Sequence, residues 1–263
     1  MDKKYKIIGW YVVVAFLAWG MWGAGSSLGF NSATGLDINF SVTLLFLLLT
    51  SLTVLGYVLF RKTLIPIIAS AIIGISFLAW YGFSWLNLLG VAIMLLLNLE
   101  SYRRVGQELF DRIKISSSHF LRHGLYPVVI GIFILASFAL YQSTLAKDLE
   151  KTDRLPSQTQ EFFRQIIDKF LTPQLDMATP KQRQSAVNEV ASQAYQQLNT
   201  WFKPYFQYAP PLLAFALFLI LLGLSWFFVW LAMAVGMFLF WILKKTKVVR
   251  VEVKEVKVES LVV

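Results

Sequence analysis

Two short patterns in this sequence carry residue types that could do chemistry. Gly25-Ser26-Ser27-Leu28-Gly29 has the Gly-x-Ser-x-Gly spacing that sets a serine on a sharp turn, where its hydroxyl can attack an acyl carbon. His119 and His123 stand four residues apart, so on a helix both imidazoles share one face and could hold a metal ion. Each pattern needs partners. A nucleophilic serine requires a base within hydrogen-bond reach, and these are the only two histidines of the chain. A histidine pair requires further ligands, and the chain has no Cys. The elements that carry these residues decide whether the partners can meet.

Those elements are dictated by composition. Of 263 residues, 57% are apolar, 16% aromatic and only 15% charged, against about 25% charged in an ordinary soluble domain. Six runs, 7–24, 41–60, 64–81, 84–99, 125–145 and 211–243, contain no Asp, Glu, Lys, Arg or His. Crossing roughly 30 Å of hydrocarbon takes about 20 helical residues, and backbone in lipid must satisfy its own hydrogen bonds, so these runs read as transmembrane helices. The expected fold is an all-α polytopic membrane protein with about six transmembrane helices, an extracytoplasmic helical hairpin between the fifth and sixth, and a short C-terminal cytoplasmic β-strand or disordered tail. The corresponding regions are 1–146, a five-helix membrane region; 147–208, the hairpin; 209–247, a long final helix; and 248–263, the tail.

Basic residues resist translocation, which orients the chain. With the N-terminus inside, sixteen of the 24 Lys and Arg fall on the inner face, and the other eight all lie between Lys147 and Lys203. The outer face then sums to zero and the whole formal charge of +9 sits inside. That distribution suits the anionic inner leaflet of a cytoplasmic membrane, prokaryotic by expectation, with both termini cytoplasmic. It removes the reason to expect a nucleic-acid partner.

The same topology separates the chemical groups. Ser27 lies outside while His119 and His123 lie inside, no Lys falls in any span, and the outer Lys residues are all in the hairpin region. The residues around Ser27 therefore read as a flexible turn, and Ala18, Gly20, Gly23 and Gly25 as a close-packing helix face. His119 and His123, with Arg122 between them, read as interfacial. No catalytic, cofactor-binding or metal residue is expected, and an intramembrane serine hydrolase at Ser27 is the remote alternative.

Two spans are ambiguous in sequence. The first follows a basic segment and ends in Gly23-Ala24-Gly25-Ser26, small residues of the kind a signal peptidase cuts. Its long apolar run and its Trp19 and Trp22 favour a retained anchor. The last uncharged stretch, 209–243, would be ~52 Å long as one helix. Splitting it into two spans would put Lys244, Lys245 and Lys247 outside, so the expectation is one tilted helix projecting above the outer surface and bent near Gly223.

Outside the bilayer, 147–208 holds ten Gln, six of the eight Pro lie between Pro156 and Pro211, and capping patterns start at Ser157 and at Thr179, the second followed by Pro180. Helical spacing predicts Phe163, Ile167, Val190, Ala194 and Leu198 buried, with Gln165, Lys169, Gln184 and Gln193 wet. In the inner loop 100–123, Tyr102, Val105, Leu109 and Ile113 share a face, which suits a helix lying in the headgroup layer. In the tail, Val249, Val251 and Val253 alternate with charge, Lys254-Glu255 breaks the phase, and Val256 and Val258 resume on the other face. Such a strand pairs with a second copy, adds to a partner's sheet, or stays disordered.

These valines, with Trp201 and Phe202 at the end of the hairpin, are the candidate interaction residues for a homo-oligomer or a membrane-protein partner. The functional expectation is a non-enzymatic scaffold or assembly subunit working through the hairpin and the tail. The alternative is a passive or lipid-linked transport component, since ion-coupled carriers usually need ionisable groups in the membrane. The spans carry only Asn87, Asn98 and scattered Ser and Thr, with both Asn placed near the ends of the fourth span. A polar stripe lining a cavity would favour transport, and a dry bundle the scaffold.

Overall fold

The computed structural model describes residues 3–26, 40–111, 117–143, 180–202 and 208–246. Among these every regular element is helical and no strand occurs. The helices are α1 (Lys3–Ser26), α2 (Phe40–Phe60), α3 (Leu64–Tyr81), α4 (Trp85–Asp111), α5 (Ser117–Tyr141), α6 (Pro180–Phe202), α7 (Ala209–Gly223) and α8 (Ser225–Lys245). Six of them, α1 to α5 and α8, are long and apolar enough to cross a membrane. This is the architecture of a multi-pass membrane protein. The valine-rich tail, Ser27 and the first hairpin helix over 157–171 lie outside the described residues.

The chain divides into two compact units, Met1–Phe138 with Phe218–Val263, and Ala139–Leu217. The larger unit contains the six long helices, and their contacts fix its topology. Trp10 of α1 lies against Gly56 and Phe60 of α2 while Gly20 faces Leu45, so α1 and α2 are antiparallel. Gly74 meets Val91 and Ser70 meets Asn98, which sets α3 against α4. Gly90, Met94 and Ser101 of α4 face Phe138, Gly131 and Gly124 of α5 in reverse order. Phe133, Leu121 and Phe120 of α5 face Phe228, Gly236 and Phe240 of α8, again in reverse. Phe46 and Ser51 of α2 face Phe228 and Ala232 of α8 in the same order. The helices therefore alternate in direction, and the start of α1 and the end of α8 lie at one end of the unit.

Small residues let these helices approach closely, the usual driving force where no water is available to be excluded. The face Ala18, Gly20, Gly23 and Gly25 packs as the sequence predicts: Ala18 is buried, a Cβ on Gly23 would lie 2.7 Å from the Trp80 ring, and Gly25 stands beside the Tyr81 hydroxyl. Gly56 admits the Trp10 indole onto the surface of α2, where its Nε1–H donates to the Leu52 carbonyl at 3.0 Å. Phe46, Phe133 and Phe228 join α2, α5 and α8 in a ring triangle with centroids 5.5 to 5.6 Å apart.

Four sequence expectations are corrected here. The fourth span does not end at residue 99, because α4 continues to Asp111. The stretch expected to lie in the headgroup layer as a separate helix is the last part of α4, with Val105 buried against Gly124 of α5. Nothing between Leu99 and Asp111 breaks a helix, and Ser101 and Val105 continue the buried face of Met94 and Asn98. Likewise α5 begins at Ser117, eight residues earlier than its uncharged run, because His119, Arg122 and His123 are tolerated where the helix needs no lipid. The last apolar stretch is not one helix. A turn at Gly223–Leu224 separates α7 from α8, with Leu224 N–H donating to Ile220 O and Phe227 N–H to Leu224 O, both at 3.0 Å. The break falls at the expected glycine, and the 21 residues of α8 suffice on their own, at about 1.5 Å each, for the hydrocarbon.

In the smaller unit, α6 begins at Pro180, where the missing N–H costs nothing. Ala191 is buried, Ala194 and Leu198 are half-buried, and Gln184 and Gln193 are exposed. Val190, expected inside, is 43% exposed. The covered face is centred on Ala191, Ala194 and Leu198 at the spacing of one helix side, and each residue turns the helix by about 100°, which carries Val190 past its edge. The capping residue Thr179 lies outside the described residues.

Candidate functional site

Polar side chains inside the larger unit have few options in apolar surroundings, and most turn onto backbone carbonyls. Thr50, Thr53, Ser76 and Ser137 donate to Phe46, Leu49, Ile72 and Phe133 of their own helices at 2.7 to 2.9 Å. Ser51 reaches across to Ala232 O and Ser101 to Gly124 O, both at 2.7 Å, linking α2 to α8 and α4 to α5. All six are buried. Thr50, Ser51, Thr53, Ser76 and Ser137 lie in runs whose only ionisable side chain is tyrosine, and Ser101, next to Glu100, commits its proton to the Gly124 carbonyl.

The two asparagines behave differently from each other. Asn87 is buried at the start of α4 and its Nδ2 donates to Gly82 O at 2.8 Å, while its backbone N–H donates to the Ser84 hydroxyl. It thereby closes the α3–α4 turn, in which Gly82 holds a φ of +84° that suits glycine. Asn98 is not near the end of its helix, because α4 runs from Trp85 to Asp111 and places it at the midpoint. It is 1% exposed, and its Nδ2 donates to the Ser70 hydroxyl of α3 at 2.8 Å. Three buried atoms lack a hydrogen-bond partner among the described residues: Asn98 Oδ1, Tyr57 Oη and Trp22 Nε1.

Charge is absent from this interior and concentrated at one end. In the described part of the larger unit, Lys3, Lys4 and Lys6 start α1, Arg61 and Lys62 join α2 to α3, and Glu100, Arg103, Arg104, Glu108 and Asp111 lie on the last part of α4. Arg122 lies near the start of α5, and Lys244 and Lys245 end α8. By the alternation of helix directions, all of these stand at the same end, and no charged residue among those described stands at the other. Arg104 pairs with Glu100 at 2.9 Å, and Lys245 sits 5.0 Å over the Trp241 ring. His123 Nδ1 is 3.0 Å from the His119 carbonyl and 3.5 Å from Glu108 Oε1. Among the described residues, no three of the side chains that bind metals converge.

Of the residues proposed from sequence as contact points, Trp201 lies in the last turn of α6 and is 64% exposed. Phe202 is the last residue of α6. Val249, Val251, Val253, Val256 and Val258 lie outside the described residues. Sequence reasoning missed the Ser70–Asn98 bond, because its partners are 28 residues apart on different helices. It also missed Arg61, whose φ of +38° has no signature in the sequence. Comparison with known families, curated proteins and solved structures finds no match to this chain.

Proposed function

We propose that the protein is a non-enzymatic scaffold or assembly subunit of the cytoplasmic membrane, with both termini inside, its basic end on the anionic inner leaflet and α6 in an outer helical hairpin. The observation that carries this reading is the separation of charge from the interior. Acids, bases and basic clusters stand at one end of the bundle, and the interior hydroxyls are used in hydrogen bonds to backbone carbonyls. A catalytic centre needs a nucleophile with its base, a carboxylate pair or a metal set, and the described interior offers none of the three. The outer hairpin and the tail 248–263 are the contact surfaces in this proposal, since each is too small to satisfy its own apolar surface or backbone.

Orientation is tested by single cysteines, which the chain accepts without background because it has no Cys. Gln184 and Thr246 are both exposed, so each introduced thiol would be open to reagent. In intact cells Gln184→Cys is expected to react with an impermeant thiol reagent and Thr246→Cys to stay silent until the membrane is opened. The reverse pattern would overturn the orientation.

Contact function is tested by deleting 248–263. The truncated chain is expected to insert normally and to lose most of its crosslinking to itself or to co-purifying membrane proteins. Crosslinking at the full-length level would remove the tail from the proposal. Ser27→Ala is expected to change nothing, and loss of a hydrolytic activity on that substitution would replace the scaffold reading with the serine hydrolase. A passive or lipid-linked transport component is the second reading. It draws on the unpartnered Asn98 Oδ1 and Tyr57 Oη, polar atoms of the kind a solute path would use.

A further inference from the structure

The link between α2 and α3 is a short turn, and Arg61 within it has a φ of +38°, the one non-glycine residue with positive φ among those described. An L-residue in this left-handed region is strained and glycine is not, so the position would be relaxed by losing its side chain. A strained residue that is also the largest cation is best understood through what its side chain does. Arg61 and Lys62 are both exposed, and neither forms an ion pair with any described residue. Two acids of this end, by contrast, are engaged: Glu100 with Arg104 and Glu108 beside His123. The contact of Trp10 with Phe60 brings the first turns of α1 alongside, and with them exposed Lys4. Thr63, next in the turn, makes no capping bond with its hydroxyl.

An apolar track starts where these cations end. Leu64, Ile68 and Ile75 are all exposed and repeat at the spacing of one face of α3, from its first residue to beyond its middle. A cluster of two cations and a hydroxyl at the head of an uncharged stripe matches one kind of molecule, which has phosphate at one end and hydrocarbon at the other. We infer that the α2–α3 turn is a binding site for the headgroup of an anionic phospholipid, with Arg61 and Lys62 on the phosphate and the acyl chains along Leu64, Ile68 and Ile75. Arg contributes a planar fork that can hold phosphate through two hydrogen bonds, and Lys a second charge. The inference rests on the proposal that the six helices lie in a bilayer with the basic end at headgroup level, but not on which side of the cell membrane that end faces.

The test uses the full chain, purified in mild detergent, stripped of lipid and reconstituted in nanodiscs of mixed phosphatidylglycerol and phosphatidylcholine, with retained lipid counted by native mass spectrometry. The wild type is expected to retain phosphatidylglycerol over phosphatidylcholine by roughly tenfold, in keeping with two basic residues acting at a membrane surface. Arg61→Gln with Lys62→Gln should abolish that preference, whereas Lys244→Gln with Lys245→Gln, at the same end but on α8, should preserve it. Arg61→Gly relieves the strained backbone, so it should unfold no earlier than the wild type and still lose severalfold in lipid preference. Millimolar inorganic phosphate should not displace the lipid, because the track contributes to retention. An unselective wild type, an unchanged Arg61→Gly, an equal loss in both double variants, or displacement by phosphate would each overturn the site. Because nanodiscs present the same lipids on both faces, failure here is distinguishable from a reversed orientation, which only the cysteine labelling reads.

Discussion

Gly124→Val is expected to lower the stability of the membrane domain by about 3 kcal/mol, the upper end of overpacking penalties, and to leave much of the protein aggregated on extraction. Gly124 stands where α2, α4 and α5 meet. A Cβ there would lie 2.5 Å from Val105 Cγ2 and 2.7 Å from Val54 Cγ1. Both neighbours are buried and β-branched, and a helix leaves valine one strongly preferred rotamer. The same substitution would push α4 away and break the bond from the Ser101 hydroxyl to the Gly124 carbonyl. Gly106→Ala is the control, since a Cβ at that helical position meets nothing within 4 Å. It should be neutral or stabilising by up to ~1 kcal/mol through helix propensity. Monodispersity in detergent and the midpoint of denaturant unfolding give the comparison, and equal behaviour of the two variants would mean that the three helices do not meet at Gly124.

Asn98→Asp is expected to cost about 3 kcal/mol at neutral pH, because a buried polar group left unpaired costs about 1–3 kcal/mol and a charged one more. The residue is buried at the midpoint of α4 with one hydrogen bond, to the Ser70 hydroxyl. Asn98→Leu should behave quite differently. It loses that interhelical bond, worth about 0.6 kcal/mol on average in a membrane bundle. It also removes the unpartnered Oδ1, whose burial opposes folding. The two changes offset, so the leucine variant should fall within about 1 kcal/mol of the wild type. If both variants were equally mild, the position would be reached by water, which would favour the transport reading over the scaffold.

The sequence by itself determined that this is a helical, multi-pass membrane protein, where most spans lie, and which ends of the helices are basic. It did so because lipid imposes a length and forbids charge, and both rules act on consecutive residues. The bounds of α3 match to the residue, whereas the single helix expected over 209–243 is two, divided at the glycine where only a bend was expected. The face Ala18, Gly20, Gly23 and Gly25 was also legible, since small residues at helical spacing have few other uses in a membrane.

What only the tertiary structure decided depends on residues far apart in the chain. The rule that forbids charge in lipid says where a span must stop, but a helix stops only where hydrogen bonding or packing ends. α4 therefore runs twelve residues past Leu99, with Val105 seated on Gly124, and Asn98 becomes a midpoint instead of an end. The pairing of Asn98 with Ser70 needs α3 and α4 in register, and the register comes from Gly74 accepting Val91. The burial of Ala191 in place of Val190 reflects what covers α6, which a periodicity cannot specify to better than one residue in angle. Arg61 is strained because a short turn must reverse the chain between two packed helices, and a backbone angle set by closure at both ends leaves no trace in residue type.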